Sequence, residues 1–265
     1  MKRGATGYYV LACVIAALAA PASAADEVKT VATRPGVTES VLLIRPPGPP
    51  VATALLFVGG AGKAGLKVPW QSGHRGGNFL FRSADRFALD GLLVAVVDTP
   101  SDHPDGMWDW RTGREHAEDI AAVIAALRAE ARVPVWLVGT SMGTLSAASA
   151  AALLKTGGPD GIVLTSSVTE STRRSQESVK TVRLQDIAVP VLIVHHEQDA
   201  CRASPYAGAE ALMERLRASP KRELMAFTGG DTPRSDPCEP FAPHGYLGIE
   251  TKVVDAIAAW IKAAR

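Results

Sequence analysis

The sequence carries almost no net charge. It has 28 Lys and Arg against 27 Asp and Glu, a formal +1. That removes the electrostatic case for nucleic acid or an anionic membrane surface as partner, because both are met by an excess of basic side chains. The spacings of common zinc sites, CxxC and HExxH, are absent, and no internal repeat stands out. No metal and no cofactor are therefore implied. The apolar run Tyr8 to Ala20 is short for a bilayer, so no membrane span is expected in the mature chain. Cysteine is scarce, with 3 in 265 residues.

Residues 1–24 read as a secretory signal peptide. Lys2 and Arg3 form a positive start, Tyr8 to Ala20 an apolar stretch, and Ala22-Ser23-Ala24 an A-x-A cleavage site. Lipoprotein processing at Val10-Leu-Ala-Cys13 fits less well, because the apolar run before Cys13 is very short and the residues after it stay apolar. Residues 25–265 are then one globular domain, and the expected location is periplasmic or secreted. Cys13 would leave with the signal. Cys201 and Cys238 remain, and an even count in an oxidising compartment favours one disulfide. Two free buried thiols are the alternative.

The richest stretch is Val135-Trp-Leu-Val-Gly139-Thr-Ser141-Met-Gly143 and the Ala-rich run to Lys155. It reads as strand, sharp turn and helix. The G-x-S-x-G at the turn suits a nucleophilic serine, since side chains at the flanking positions would clash and the helix N-terminus favours developing negative charge. The plain alternative is a tight turn with Ser141 as a helix cap.

Strands are also expected at 40–44, 52–58, 92–97, 161–165, 190–195 and 223–227, and helices at 79–89, 116–128, 205–217 and 248–264. Residues 26–36 read as a loose lead-in. The alternation predicts a mostly parallel sheet with helices on both faces, with ligands bound beyond the strand ends. Gly59-Gly-Ala-Gly62 follows a strand and offers backbone N–H groups to a ligand. It reads as an oxyanion-hole loop, as a phosphate loop without the Walker spacing, or as a flexible turn. Trp70 in the polar excursion 64–78, and Trp108 and Trp110 in the loop 101–111, are candidates for a substrate cleft; pinning a loop is the other use of such side chains. Arg111, Arg114 and Glu115 read as solvated, and His116 as lying at a helix edge.

On Gly139-Thr-Ser141-Met-Gly143, Gly59-Gly60, Val191-Leu-Ile-Val-His-His-Glu-Gln-Asp199 and Pro243-His244-Gly245, the chain resembles the α/β-hydrolase family over roughly residues 40–263. The resemblance implies an α/β-hydrolase fold and a triad in the order nucleophile, acid, histidine. Ser141, Asp199 and His244 meet that order, with Gly60 and Met142 as oxyanion-hole donors and Ala61 as another candidate. Val58 departs from the histidine that many relatives carry before the glycine. His195 and His196 are too close to their strand end to be the base, and one is expected to pack in the core or order the acid loop. Glu170 is the runner-up acid, and Asp231 and Asp236 read as turn residues. A Cys201–Cys238 bond would tie the acid loop to the histidine loop. Residues 166–189 are polar and lack a lid's apolar face, so no large cap domain is expected. The function implied is a serine hydrolase acting on small or polymer-attached carboxylic esters. Peptidase or acyltransferase chemistry, or a periplasmic binding protein on the same fold, are the alternatives. The sequence carries no signal for oligomeric state.

Overall fold

The computed structural model describes residues 1, 26–66 and 77–264. The signal-peptide reading and the Trp70 assignment lie outside the described residues. Eight strands form one sheet: β1 (Glu27–Ala32), β2 (Thr38–Ile44), β3 (Ala52–Phe57), β4 (Leu92–Val97), β5 (Val135–Thr140), β6 (Gly161–Thr165), β7 (Val191–His196) and β8 (Arg222–Phe227). Their order is β1-β2-β4-β3-β5-β6-β7-β8. Only β2 runs against its neighbours; β3 to β8 are parallel. Every residue of β3, β4, β5, β6 and β7 is buried. Their continuous apolar runs are what a strand covered on both faces requires.

Side chains alternate between two cores. Leu55 and Leu137 join the cluster under α3 (Arg114–Ala131), α4 (Gly143–Leu153) and α5 (Tyr206–Arg215). Their neighbours Leu56 and Val138 join the cluster under α1 (Phe79–Arg82), α2 (Ala84–Leu89) and α6 (Glu250–Ala263). Ile120, Val123, Ile124 and Leu127 form the buried stripe of α3. Val253, Val254, Ile257, Ala258 and Ile261 do the same for α6.

Two local expectations are corrected. Residues 27–32 form an edge strand, registered antiparallel on β2 with Thr30 opposite Ser40. Its two valines give little hydrophobic signal; Lys29 instead reaches Glu130 on α3 at 2.7 Å. The helix expected over 79–89 breaks at Ser83 into α1 and α2.

Between β6 and β7 the chain makes only two 3-10 turns, Val179–Thr181 and Leu184–Asp186. Among the described residues there is no large cap domain over the strand ends. Among the described residues no helix is long and apolar enough to cross a membrane.

Candidate active site

Ser141 sits between β5 and α4 with φ +52°, a strained angle for a residue with a Cβ. The turn is held by Ser141 N–H donating to Thr165 O at 3.0 Å and by the Thr144 hydroxyl donating to Ser141 O at 2.6 Å. It is also tight: a Cβ on Gly143 would lie 2.1 Å from the Phe57 carbonyl oxygen. The second glycine of the motif is therefore a packing requirement between α4 and the end of β3.

His244 comes from a 3-10 turn, Pro243–Gly245, after β8. Its Nδ1 lies 2.8 Å from Asp199 Oδ2, and its backbone carbonyl accepts from the Ser166 hydroxyl at 2.8 Å. Its Nε2 is buried and has no hydrogen-bond partner. Asp199 follows β7 and its carboxylate is fully buried. Its other oxygen accepts from the Cys201 N–H at 2.9 Å. Cys201 is bonded to Cys238, so the expected disulfide is present. Tyr246, next after the turn, donates its hydroxyl to Val194 O at 2.9 Å and packs on Phe79.

Both neighbouring histidines are buried, in line with the expectation for them. His195 Nε2 reaches Ser204 O at 2.9 Å and lies 3.6 Å from Asp199 Oδ2. Burial, more than any neighbour, pushes its pKa down, so it is a neutral donor beside the acid. His196 Nε2 reaches Gly229 O at 2.8 Å. The rival acid Glu170 is exposed and paired with Lys180. Asp231 and Asp236 are exposed.

The Gly59–Gly62 loop is where sequence reasoning missed a residue. Arg111, expected in solvent, is only 1% exposed. Its Nη2 donates to Gly60 O at 3.0 Å and, more weakly, to Val58 O at 3.4 Å; its Nη1 donates to Ser146 Oγ at 2.9 Å. The Gly59 carbonyl between them accepts from Gly62 N at 3.1 Å. Three successive carbonyls are thus engaged, and in trans peptides this fixes where the N–H groups of Gly59, Gly60 and Ala61 point. Gly62, at φ +89°, is needed because a Cβ there would meet Arg111 Nη2 at 2.6 Å. Burial pushes the Arg111 pKa down to about 10, so it stays cationic at neutral pH. Asp98, at the end of β4, holds the next segment by accepting from Ala64 and Leu66 N–H at 2.9 and 2.7 Å. The missed signal was the pair Gly62 and Arg111, which have no periodic relation in sequence.

Ser141, His244, Gly60 and Met142 line one cleft of about 480 Å³. Trp108 and both disulfide cysteines line it as well. Trp110 does not. It stacks on His103 at 3.9 Å between centroids, with Arg34 5.5 Å from its ring. Of the two loop tryptophans, one faces the cleft and the other pins the loop.

His116, expected at a helix edge, lies in the first turn of α3 and is buried, with Nε2 2.9 Å from Ser146 Oγ. Burial, then the charge of Arg111, pushes its pKa down to about 3. His116, Glu39 and Asp119 form the described group whose ligand atoms lie within 4.8 Å of one another. The donor set fits a cation poorly. Asp119 already takes Arg34 on both oxygens at 2.9 Å. His116 Nε2 is already engaged with the Ser146 hydroxyl, which also accepts from Arg111.

No protein-family model matches the chain, and no curated protein is similar to it in sequence. Solved structures are similar in fold. An α/β serine hydrolase homologue from Coxiella burnetii is 18% identical, with a TM-score of 0.61 over 87% of this chain and 96% of that one. A serine hydrolase without lid from Xanthomonas campestris is 17% identical, with a TM-score of 0.58 over 89% and 94%. A thermostable carboxyl esterase from Bacillus coagulans is 12% identical, with a TM-score of 0.61 over 91% and 99%. Strand order, the G-x-S-x-G turn and these likenesses agree: the chain has the α/β-hydrolase fold, without a large cap.

Proposed function

We propose that this protein is a serine hydrolase that cleaves carboxylic esters through an acyl-enzyme on Ser141. The observation that carries the reading is the 2.8 Å contact of His244 Nδ1 with buried Asp199, which leaves Nε2 without a partner in the cleft that holds Ser141. An imidazole held on one side by a carboxylate and free on the other is suited to take a proton from a serine hydroxyl. Nε2 and Ser141 Oγ line the same cleft, and the mechanism requires that substrate binding bring them within hydrogen-bond reach.

In this mechanism Ser141 Oγ attacks the ester carbonyl and His244 Nε2 accepts its proton. His244 then gives that proton to the departing alkoxide oxygen, which leaves as the alcohol. A water, deprotonated by the same nitrogen, hydrolyses the acyl-enzyme. Asp199 holds the tautomer and stabilises the imidazolium. The N–H groups of Gly60 and Met142 stabilise the tetrahedral oxyanion, each worth about 3–4 kcal/mol by analogy with side-chain donors.

The open cleft suits soluble or polymer-attached esters, since no cap covers it. The same reading takes residues 1–24 as an export signal, and the Cys201–Cys238 disulfide supports an oxidising compartment for the mature chain. A fluorophosphonate probe tests the nucleophile. Labelling of the wild type and none of Ser141→Ala is the expected result. No labelling of either would favour a binding protein that kept the fold.

A further inference from the structure

The cleft walls hold two cations that form no ion pair among the described residues. Arg173 and Arg174 both line the cleft with Ser141 and His244. Both are exposed, and among the described residues neither guanidinium makes an ion pair or a hydrogen bond. The carboxylates around their loop accept from other groups, except that Glu177 Oε2 is buried without a hydrogen-bond partner among the described residues. Asp109 accepts from Ser175 Oγ and Gln176 N–H, each at 2.8 Å. Glu177 accepts from Thr112 N–H at 2.9 Å and from its hydroxyl, and Glu170 pairs with Lys180. These bonds also fix the loop. Thr172 N–H donates to Ser175 O at 2.8 Å, and Arg174 N–H to Thr172 Oγ1 at 3.2 Å. The two arginines therefore leave a tied turn rather than a loose segment. Set against them on the cleft wall is the one carboxylate of Glu239.

We propose that Arg173 and Arg174 form an anion subsite of the cleft, and that the substrate is an ester carrying a carboxylate near its scissile bond. The inference rests on the ester-hydrolase reading of the same cleft. Guanidinium forks bind a carboxylate through paired charge-assisted hydrogen bonds, which a neutral ester group cannot match. The net charge of +1 gives little long-range attraction, so any preference for anions arises locally. The carboxylate can stand on the acyl side, as in a half-ester of a dicarboxylic acid, or on the alcohol side, as in an esterified hydroxy acid.

The test uses one pair of esters for each side. The acyl-side pair is p-nitrophenyl hemisuccinate and its neutral methyl ester. The alcohol-side pair is 4-acetoxybenzoate and its methyl ester. The readout is the ratio of kcat/KM, anionic over neutral, for wild type and for the double variant Arg173→Gln, Arg174→Gln. In one of the pairs the ratio should fall about tenfold in the variant, and should fall in the wild type at about 0.5 M salt. The pair that responds identifies the side. Ratios equal in the two proteins for both pairs would overturn the proposal while leaving the hydrolase reading intact. If none of the four esters is cleaved, the hydrolase reading fails by itself. The subsite is then decided by calorimetry of the non-cleavable half-amide N-phenylsuccinamate with Ser141→Ala. Salt-sensitive binding that is lost on adding the two Gln substitutions supports it, and binding equal to that of the neutral methyl ester overturns it.

Discussion

Arg111 Nη2 lies 3.0 Å from the carbonyl oxygen of Gly60, beneath the loop that lines the cleft beside Ser141. The guanidinium is buried and holds the Val58 carbonyl and the Ser146 hydroxyl at the same time. It links α4, which begins at the nucleophile turn, to the loop that presents the Gly60 N–H. In this account the buried cation takes over the task of shaping that loop, where Val58 replaces the histidine expected from the family resemblance.

Arg111→Met keeps most of the volume and removes the donors. The expected result is a fall in kcat of about a hundredfold, the scale of losing one oxyanion donor, with KM changing little. Because buried hydrogen bonds are also lost, melting temperature is read in parallel, and added guanidine should restore part of kcat. An unchanged kcat would separate Arg111 from the oxyanion loop.

The disulfide joins the segment that holds Asp199 to the segment that leads to His244. Cys201 donates its N–H to the Asp199 carboxylate at 2.9 Å, and Cys238 lies 37 residues away in sequence. Chain entropy for a loop of this length is worth about 4 kcal/mol. Cys238→Ser should lower the melting temperature by roughly 10 °C and reduce kcat through a loosened Asp199–His244 pair. Equal melting temperature and equal kcat would refute both roles.

Trp108 and Trp110 stand two residues apart and should behave differently. Trp108 lines the cleft, so Trp108→Ala should raise KM several-fold with a modest effect on melting. Trp110 packs on His103 and His116, so Trp110→Ala should lower melting temperature by several degrees, on the scale of a large apolar truncation. Steady-state kinetics beside a melting curve distinguishes them.

Most of the strand pattern could be read directly, because β4, β5, β6 and β7 are short apolar runs covered on both faces. β1 could not. An edge strand of sequence EVKTVA has no fully buried position, and it is held by pairing on β2, by Lys29–Glu130 and by Val28 and Val31 packed on the two cores. In the candidate site, Ser141, Asp199 and His244 were named through the family resemblance, and the fold brings His244 against Asp199 and into the cleft with Ser141. Arg111 and His116 were not so named. Arg111 read as solvated and His116 as a helix-edge residue, and only the fold reveals that both reach Ser146 on α4. The same limit applied to Trp110, whose role depends on Arg34 from another segment and on His103 earlier in its own loop.

Glu39 is a buried carboxylic acid with no hydrogen-bond partner on either oxygen. Burial, reinforced by the negative charge of Asp119, raises its pKa well above the usual carboxylate value. The folded state thus holds this proton more tightly than the unfolded chain. Its stabilising contribution is complete below the unfolded pKa of about 4.5 and is lost as pH rises through the raised folded value. Glu39→Gln removes that loss. It should raise the melting temperature by about 2–4 °C at pH 8, on the scale of 1 kcal/mol, and change it little at pH 4. A variant that melts lower at pH 8 would contradict the assignment.

The central claim is that Ser141 carries an acyl group during turnover. Rapid mixing of the mature protein with short-chain p-nitrophenyl esters, beside Ser141→Ala, tests it most directly. The account predicts a burst of p-nitrophenol close to one equivalent of protein, followed by slower turnover, with both lost in the variant. Equal p-nitrophenol release by the wild type and Ser141→Ala would contradict it.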